Sequence, residues 1–177
     1  MSDRLVPVKH EYQRIPYLVA YQNNSGVRDV YGGVAELVVL ESFLLRPSKP
    51  SDTVLVFMHP IGGGAYLPMI NALARAGHHV IYCNSRFRGT DSALLMEKVV
   101  EDLGECIKDA KNRLGYDKVV LVGWSGGGSL SVFYQQQAQH PTITASPSGD
   151  GPDLTKLGLI PVDGIILLPR TSADTAP

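Results

Sequence analysis

Short apolar runs alternate with segments of helical spacing along most of this chain. The runs are typical of strands buried on both faces, and they lie at 53–58, 78–83, 119–122 and 162–168. Between them, apolar residues recur every three or four positions, which predicts amphipathic helices over 67–74 and 95–114. Strands that alternate with helices predict an α/β fold with a mostly parallel sheet, flanking helices and right-handed crossovers.

The polar positions of the 95–114 segment predict a helix face turned toward water. That face comprises Glu97, Lys98, Glu101, Lys108 and Lys111. Residues 1–32 lack a regular pattern and predict a loosely packed N-terminal leader with at most a short edge strand. Residues 33–177 then form the α/β core, with one or two outer strands at 34–45 and a Pro/Ser/Thr/Gly-rich loop or cap at 141–161.

A serine follows directly after the apolar run at 119–122. Residues 123–127 read Gly-Trp-Ser-Gly-Gly, with the pattern Gly-x-Ser-x-Gly, and the apolar residues after them predict a helix. A serine between a buried strand and a helix lies on a sharp turn, which the flanking glycines permit. The Ser125 hydroxyl is then held near the positive end of the helix dipole. The alternative is an ordinary strand-to-helix turn built from good turn residues.

Two other loops follow predicted strands at the same edge of the sheet. Residues 59–64 read His-Pro-Ile-Gly-Gly-Gly, and three consecutive glycines let a backbone approach a ligand with its N–H groups free. Residues 84–91 form a polar loop that carries Arg86 and Arg88. Because ligands bind beyond the carboxyl ends of parallel strands, we expect a site where these loops and Ser125 meet.

Composition narrows the function classes. The chain has 177 residues, a net charge of −1 and a pI near 6.5, so it has no electrostatic footprint for nucleic acid or an anionic membrane. Its two cysteines read as buried thiols. No apolar run reaches transmembrane length and no signal peptide is evident, which predicts a cytoplasmic protein.

Cofactor and metal chemistry have little support in the sequence. Neither Gly-x-Gly-x-x-Gly nor a phosphate-loop Gly-Lys-Ser/Thr follows any predicted strand, so a dinucleotide-binding fold is a weaker alternative. His78 and His79 point to opposite faces of a strand and form no metal-ligand cluster. We therefore expect no metal and no cofactor, and a small molecule as the partner.

Together these motifs resemble those of the α/β-hydrolase superfamily of serine esterases and lipases. The likeness covers about residues 34–168. Segment 59–64 resembles the family's oxyanion loop, 123–127 its nucleophile elbow, and 84–91 a loop that often reads Asp-x-Arg-Gly-x-Gly. The chain departs from the pattern in Pro60, where glycine is usual, and in a glycine run lengthened by Gly127 and Gly128.

The resemblance implies a serine hydrolase that acts on carboxylic esters or related acyl compounds. Ser125 would be the nucleophile, and the Gly126 amide would be one donor of the oxyanion hole. Because Pro60 has no N–H group, the second donor is expected from Ile61 or Gly62.

Three further residues are expected to line the pocket: His59, Trp124 and Arg86. The resemblance implies that His59 shapes the oxyanion loop and does not take the serine proton. Two roles remain open for Arg86, which would either bind an anionic substrate or pair with surface carboxylates.

A triad base and acid are difficult to assign. The family order is serine, acid, histidine, and of the five histidines only His140 follows Ser125. It lies roughly 20 Å away along the predicted helix, whereas a base must lie within about 3 Å of the proton it takes. Asp91, Asp150, Asp153 and Asp163 are placed no better.

We therefore expect a C-terminally truncated hydrolase that lacks the last strands, the triad acid and the triad base. The apolar sheet edge left by a sheet that stops at its sixth strand would favour self-association. The alternative is a non-catalytic protein of the same fold, either a truncated product or a binding module.

Overall fold

The computed structural model describes residues 9–23, 37–89 and 91–168. These residues form one six-stranded sheet and three α-helices. The elements are β1 Tyr12–Gln22, β2 Leu37–Pro47, β3 Thr53–Phe57, α1 Pro68–Arg75, β4 His79–Cys83, α2 Met96–Asn112, β5 Lys118–Trp124, α3 Gly126–Gln139, a 3₁₀ turn Leu154–Lys156 and β6 Gly164–Leu168. The predicted α/β fold with a mostly parallel sheet is confirmed.

The strands lie in the order β1-β2-β4-β3-β5-β6. β1 and β2 are antiparallel to their neighbours, whereas β4, β3, β5 and β6 are mutually parallel. The carboxyl ends of these four strands therefore meet at one edge of the sheet, and the loops that follow β3, β4 and β5 begin there.

The central strands bury side chains on both faces of the sheet. In β3, Val56 belongs to the larger apolar cluster, which includes α2 and α3, while Phe57 belongs to the smaller cluster with α1. All five residues of β4 are buried. This two-sided burial explains why these strands read as continuous apolar runs.

The N-terminal strand is longer and more firmly packed than the short edge strand expected from the sequence. β1 pairs with β2 over its whole length, from Tyr12 opposite Pro47 to Gln22 opposite Leu37. Val19 and Tyr21 are buried in the larger cluster, so this part of the expected leader belongs to the core. The rest of the leader, 1–8 and 24–32, lies outside the described residues.

One face of α2 also differs from its prediction. Lys98 and Glu101 are 3% and 1% exposed, although the helical pattern places them toward water. Residues from the loop after β4 and from β1 cover this face, since Arg86 pairs with Glu101 and Tyr21 hydrogen-bonds to the neighbouring Asp102. Helical periodicity alone cannot reveal a polar face that another segment covers.

β6 pairs in parallel with β5 and is the last strand at that edge of the described sheet. Ile166 and Leu167 are 44% and 55% exposed there. Self-association through this edge stays a prediction. Within the described residues, no helix combines the length and apolarity needed to cross a membrane.

Candidate active site

Ser125 forms the turn between β5 and α3. Its backbone has φ 52° and ψ −128°, and it is the one non-glycine residue with positive φ among those described. Such a conformation costs on the order of 1–3 kcal/mol, and other packing must hold it in place. The residue is exposed, and its hydroxyl forms no hydrogen bond with any described residue.

Glycines around Ser125 allow the backbone to pack more closely than any side chain would permit. A Cβ atom on Gly123 would lie 2.6 Å from Cα of Gly128, across the turn. A Cβ atom on Gly127 would lie 2.6 Å from the carbonyl oxygen of Met58, just beyond β3. The first turn of α3 is therefore pressed against the start of the glycine-rich loop.

The amides of residues 61–64 all have acceptors inside the protein. The N–H group of Ile61 donates to Nδ1 of His59 at 3.3 Å, and that of Gly62 donates to the carbonyl oxygen of His59 at 3.0 Å. The next two amides, of Gly63 and Gly64, donate to Oδ1 of Asn84 and to the Tyr82 hydroxyl at 3.3 and 2.6 Å. The sequence predicts free amides in this loop, and the structure differs because the segment folds back on His59 and on the end of β4.

Side chains at the end of β4 fix this loop, a role that the sequence pattern alone does not reveal. Besides Tyr82 and Asn84, the Ser85 hydroxyl donates to the carbonyl oxygen of Pro60. The amide of Gly89 donates to the carbonyl oxygen of Ile61 at 2.9 Å. The sequence feature that points to these side chains is a run of polar residues directly after a buried strand, at the edge where the glycines lie.

His59 lies against the backbone of the turn. A Cβ atom on Gly126 would be 3.1 Å from Nε2 of His59 and 3.5 Å from Cε1. The ring centroid is 5.9 Å from that of Trp124. Burial lowers the pKa of His59 below its ordinary value, so the ring is neutral at neutral pH. The amide of Gly126, the first in α3, has no acceptor among the described residues.

Arg86 belongs to a buried ion cluster. Its side chain is 8% exposed and donates to Glu101 at 2.8 Å and to Asp102 at 3.0 Å, while its backbone amide also donates to Asp102. The Tyr21 hydroxyl donates to Asp102 at 2.5 Å. Of the two roles left open for Arg86, the structure shows pairing with carboxylates, but these are buried and not on the surface. The neighbouring Arg88 pairs with the exposed Glu41.

An open groove of about 690 Å³ runs from Ser125 between α3 and β6. Its walls are mostly apolar side chains of the helix and the edge strand. The lining side chains include Ser125, Ser129, Val132, Phe133, Leu167 and Leu168. His59, Trp124 and Arg86, expected to line the pocket, are not among the groove residues.

The other histidines described with the sheet and α3 lie away from Ser125. The ring of His79, at the start of β4, contacts the Tyr116 hydroxyl at 2.7 Å and the carbonyl oxygen of Lys49 at 2.8 Å. His140 caps the far end of α3. Asp163, just before β6, accepts from the amide of Val119 at the amino end of β5, away from Ser125. Among the described histidines, His59 lies beside the turn.

A family comparison identifies the class to which this fold and site belong. The model of the alpha/beta hydrolase fold matches residues 53–143, which is more than half of the chain. The chain belongs to the α/β-hydrolase fold family, as the sequence motifs predicted.

Solved structures of other hydrolases align with part of this chain. A brefeldin A esterase, described as a bacterial homologue of human hormone-sensitive lipase, aligns over 78% of this chain and 38% of its own, with 19% identity and a TM-score of 0.50. A peroxisomal α/β-hydrolase from Saccharomyces cerevisiae aligns over 74% of this chain and 42% of its own, with 18% identity and a TM-score of 0.49. A thermostable carboxyl esterase from Bacillus coagulans aligns over 76% and 44%, with 15% identity and a TM-score of 0.47.

At 19% identity, the likeness to the brefeldin A esterase shows the fold alone. This chain spans about four tenths of the length of those solved chains. A search of curated proteins found no matching sequence.

Proposed function

We propose that this chain is a serine hydrolase of the α/β-hydrolase fold, with Ser125 as the nucleophile toward carboxylic esters or related acyl compounds. The observation that carries the proposal is the positive φ of Ser125, at an exposed turn between a buried strand and a helix. Strained backbone of this kind is concentrated at functional sites. An ordinary turn would place glycine or asparagine there at lower cost.

In the proposed reaction, Oγ of Ser125 bonds the acyl carbon and the alcohol group leaves with its bonding electron pair. The amide of Gly126 is positioned to stabilise the oxygen anion that forms on the acyl group. The serine proton passes to solvent, because no described side chain accepts a hydrogen bond from this hydroxyl. The apolar groove between α3 and β6 offers a surface for the acyl chain.

The second oxyanion donor is less well placed than the first. Gly62 is hydrogen-bonded to its own loop, so it would donate to substrate only after the turn opens. The bond from Ile61 to His59 is long at 3.3 Å, so Ile61 is the better of the two candidate loop amides.

Among the described residues, no general base lies beside Ser125, and this should slow the turnover of an acyl-enzyme. Removing the acyl group requires an activated water, and general-base catalysis typically contributes about 10²–10⁴-fold. We therefore infer slow deacylation and an acyl-enzyme that accumulates. The same observation favours the second candidate, a non-catalytic protein that keeps only the fold and the groove.

A fluorophosphonate probe separates the two candidates. Its phosphorus bonds Oγ of an activated serine, fluoride leaves, and the serine proton passes to solvent. We expect labelling of the wild type and of Ser129→Ala, which removes the exposed serine one turn further along the same groove. Ser125→Ala should be unlabelled. Labelling equal in wild type and Ser125→Ala, or none in either, would reject the hydrolase proposal.

A further inference from the structure

We propose that the Nε2–H group of His59 is a side-chain donor of the oxyanion hole, beside the amide of Gly126. The proposal rests on the proposed function, since it assigns the second donor of that same site. It replaces a loop amide with an imidazole, and it follows from two contacts of the His59 ring and from the hydrogen bonds of the loop amides.

The first contact fixes which ring nitrogen carries the proton. The amide of Ile61 can only donate, and it points at Nδ1 of His59 at 3.3 Å. Nδ1 must therefore be the acceptor, which in a neutral imidazole leaves the hydrogen on Nε2. Since burial lowers the pKa of His59, the neutral ring is the prevailing form at neutral pH.

The second contact places that hydrogen at the elbow. Nε2 would be 3.1 Å from a Cβ atom on Gly126, nearer than any other side-chain atom of the neighbourhood. The amide nitrogen of Gly126 is bonded to the same Cα and has no acceptor among the described residues. In the proposal, one substrate oxygen in front of Gly126 accepts from both groups. The ring of Trp124, 5.9 Å away between centroids, supports the imidazole from the strand side.

The third observation concerns the loop amides, which are the alternative donors to the oxyanion. Pro60 has no N–H group, and the amides of Ile61 and Gly62 already donate to His59. These bonds make His59 the point around which the loop folds. The same proton assignment argues against His59 as the base for Ser125, because a protonated Nε2 cannot accept the serine proton.

Two substitutions of His59 by amide side chains separate the hydrogen-bonding functions of the two ring nitrogens. In His59→Gln the side-chain amide can reach the position of Nε2 and donate, but nothing replaces Nδ1. In His59→Asn the shorter side chain can accept from Ile61 in place of Nδ1, but nothing replaces Nε2. Loss of one oxyanion donor typically slows the reaction by about 10²–10³-fold.

The measurement is the second-order rate of fluorophosphonate labelling at Ser125, with Ser125→Ala as the blank. We expect His59→Asn to react about 10²–10³-fold more slowly than wild type, and His59→Gln to keep most of the rate. Rates equal to wild type in both variants would overturn the proposal. An equal loss of labelling rate in both variants would indicate that His59 acts as a base. A loss of rate in His59→Gln alone would indicate that His59 only shapes the loop. Either result would also overturn the proposal.

A second measurement needs no reactivity. Long-range ¹H–¹⁵N correlation of the imidazole at neutral pH should show His59 protonated on Nε2 and not on Nδ1. The opposite tautomer would overturn the assignment. If the wild type is not labelled at Ser125, the proposed function fails and the catalytic role of His59 fails with it. If the wild type is labelled and the His59 variants behave alike, only the role of His59 fails.

Discussion

The backbone of Gly127 lies directly against the carbonyl oxygen of Met58, so that a methyl group on Gly127 would come within 2.6 Å of that oxygen. This contact joins the first turn of α3 to the beginning of the glycine-rich loop. It holds the two halves of the candidate site together. The next glycine, Gly128, has no such neighbour, since its nearest atom would be a Leu167 methyl carbon at 3.8 Å.

Alanine at these two adjacent glycines should therefore have opposite effects. Gly127→Ala forces backbone apart and should lower the free energy of unfolding by about 1–3 kcal/mol. Gly128→Ala adds helix propensity without a clash and should leave stability unchanged or raise it by up to about 1 kcal/mol. Urea unfolding followed by circular dichroism measures both. Equal effects of the two substitutions would mean that the contact with Met58 is not formed.

Strain at Ser125 can be measured without any substrate. Glycine tolerates the positive φ of this position whereas alanine does not, so Ser125→Gly should be more stable than Ser125→Ala by about 1 kcal/mol. At Ser129, inside α3, the order should reverse, because glycine in a helix is about 1 kcal/mol worse than alanine. The comparison uses chemical denaturation of all four variants. The same order at both positions would rule out a strained elbow.

Substitution of the buried Arg86 should lower the free energy of unfolding far more than substitution of its exposed neighbour Arg88. Arg86→Leu removes the guanidinium that pairs with the buried Glu101 and Asp102 and should cost about 3–5 kcal/mol. Arg88→Leu removes an ion pair whose side chains are 59% and 50% exposed, which should cost less than about 1 kcal/mol. Thermal and urea unfolding test the pair of variants. A small effect at Arg86 would show that its carboxylate partners are not buried.

The hydrophobic pattern was sufficient to predict the order of the central elements and the strand-to-helix turn at Ser125. Buried parallel strands such as β5 appear in the sequence as apolar runs. A serine directly between such a strand and a helix must lie in a sharp turn. What the pattern missed depends on contacts between distant segments. Glu101 is polar and helically spaced like a surface residue, and only the approach of Arg86 makes it a buried one.

The glycine loop shows a second limit of sequence-based prediction. Three glycines indicate a close approach of backbone, but they do not say which group approaches. Here the acceptors include Asn84 and Tyr82, which lie some twenty residues further along the chain. Likewise, the sequence placed His59 in the loop, but the orientation of its ring depends on where α3 begins.

Asp163 should make stability depend on acid pH. Hydrogen bonding from the Val119 amide and the nearby Lys111 lower the pKa of Asp163 below its ordinary value of 3.8. A carboxyl group whose pKa is lowered by folding stabilises the protein above its unfolded pKa and loses this contribution as pH falls through its folded pKa. The stabilisation is therefore complete near neutral pH and disappears below about pH 4.

Comparing wild type with Asp163→Asn isolates this contribution. Because the side chain is 41% exposed, the difference in unfolding free energy at pH 7 should be no more than about 1 kcal/mol. It should stay constant down to about pH 5 and shrink at lower pH. A difference that is constant from pH 7 to pH 2, or that grows in acid, would contradict the assignment.

The most direct test of Ser125 as the nucleophile is to find the acyl group after reaction with p-nitrophenyl acetate. Attack by Oγ transfers the acetyl group to the serine, nitrophenolate leaves, and the proton passes to solvent. Peptide mapping by mass spectrometry should locate an acetyl group on Ser125 that accumulates because deacylation is slow, and Ser125→Ala should lack it while Ser129→Ala retains it. Acetyl groups confined to lysines, or found on Ser129 in place of Ser125, would contradict the account.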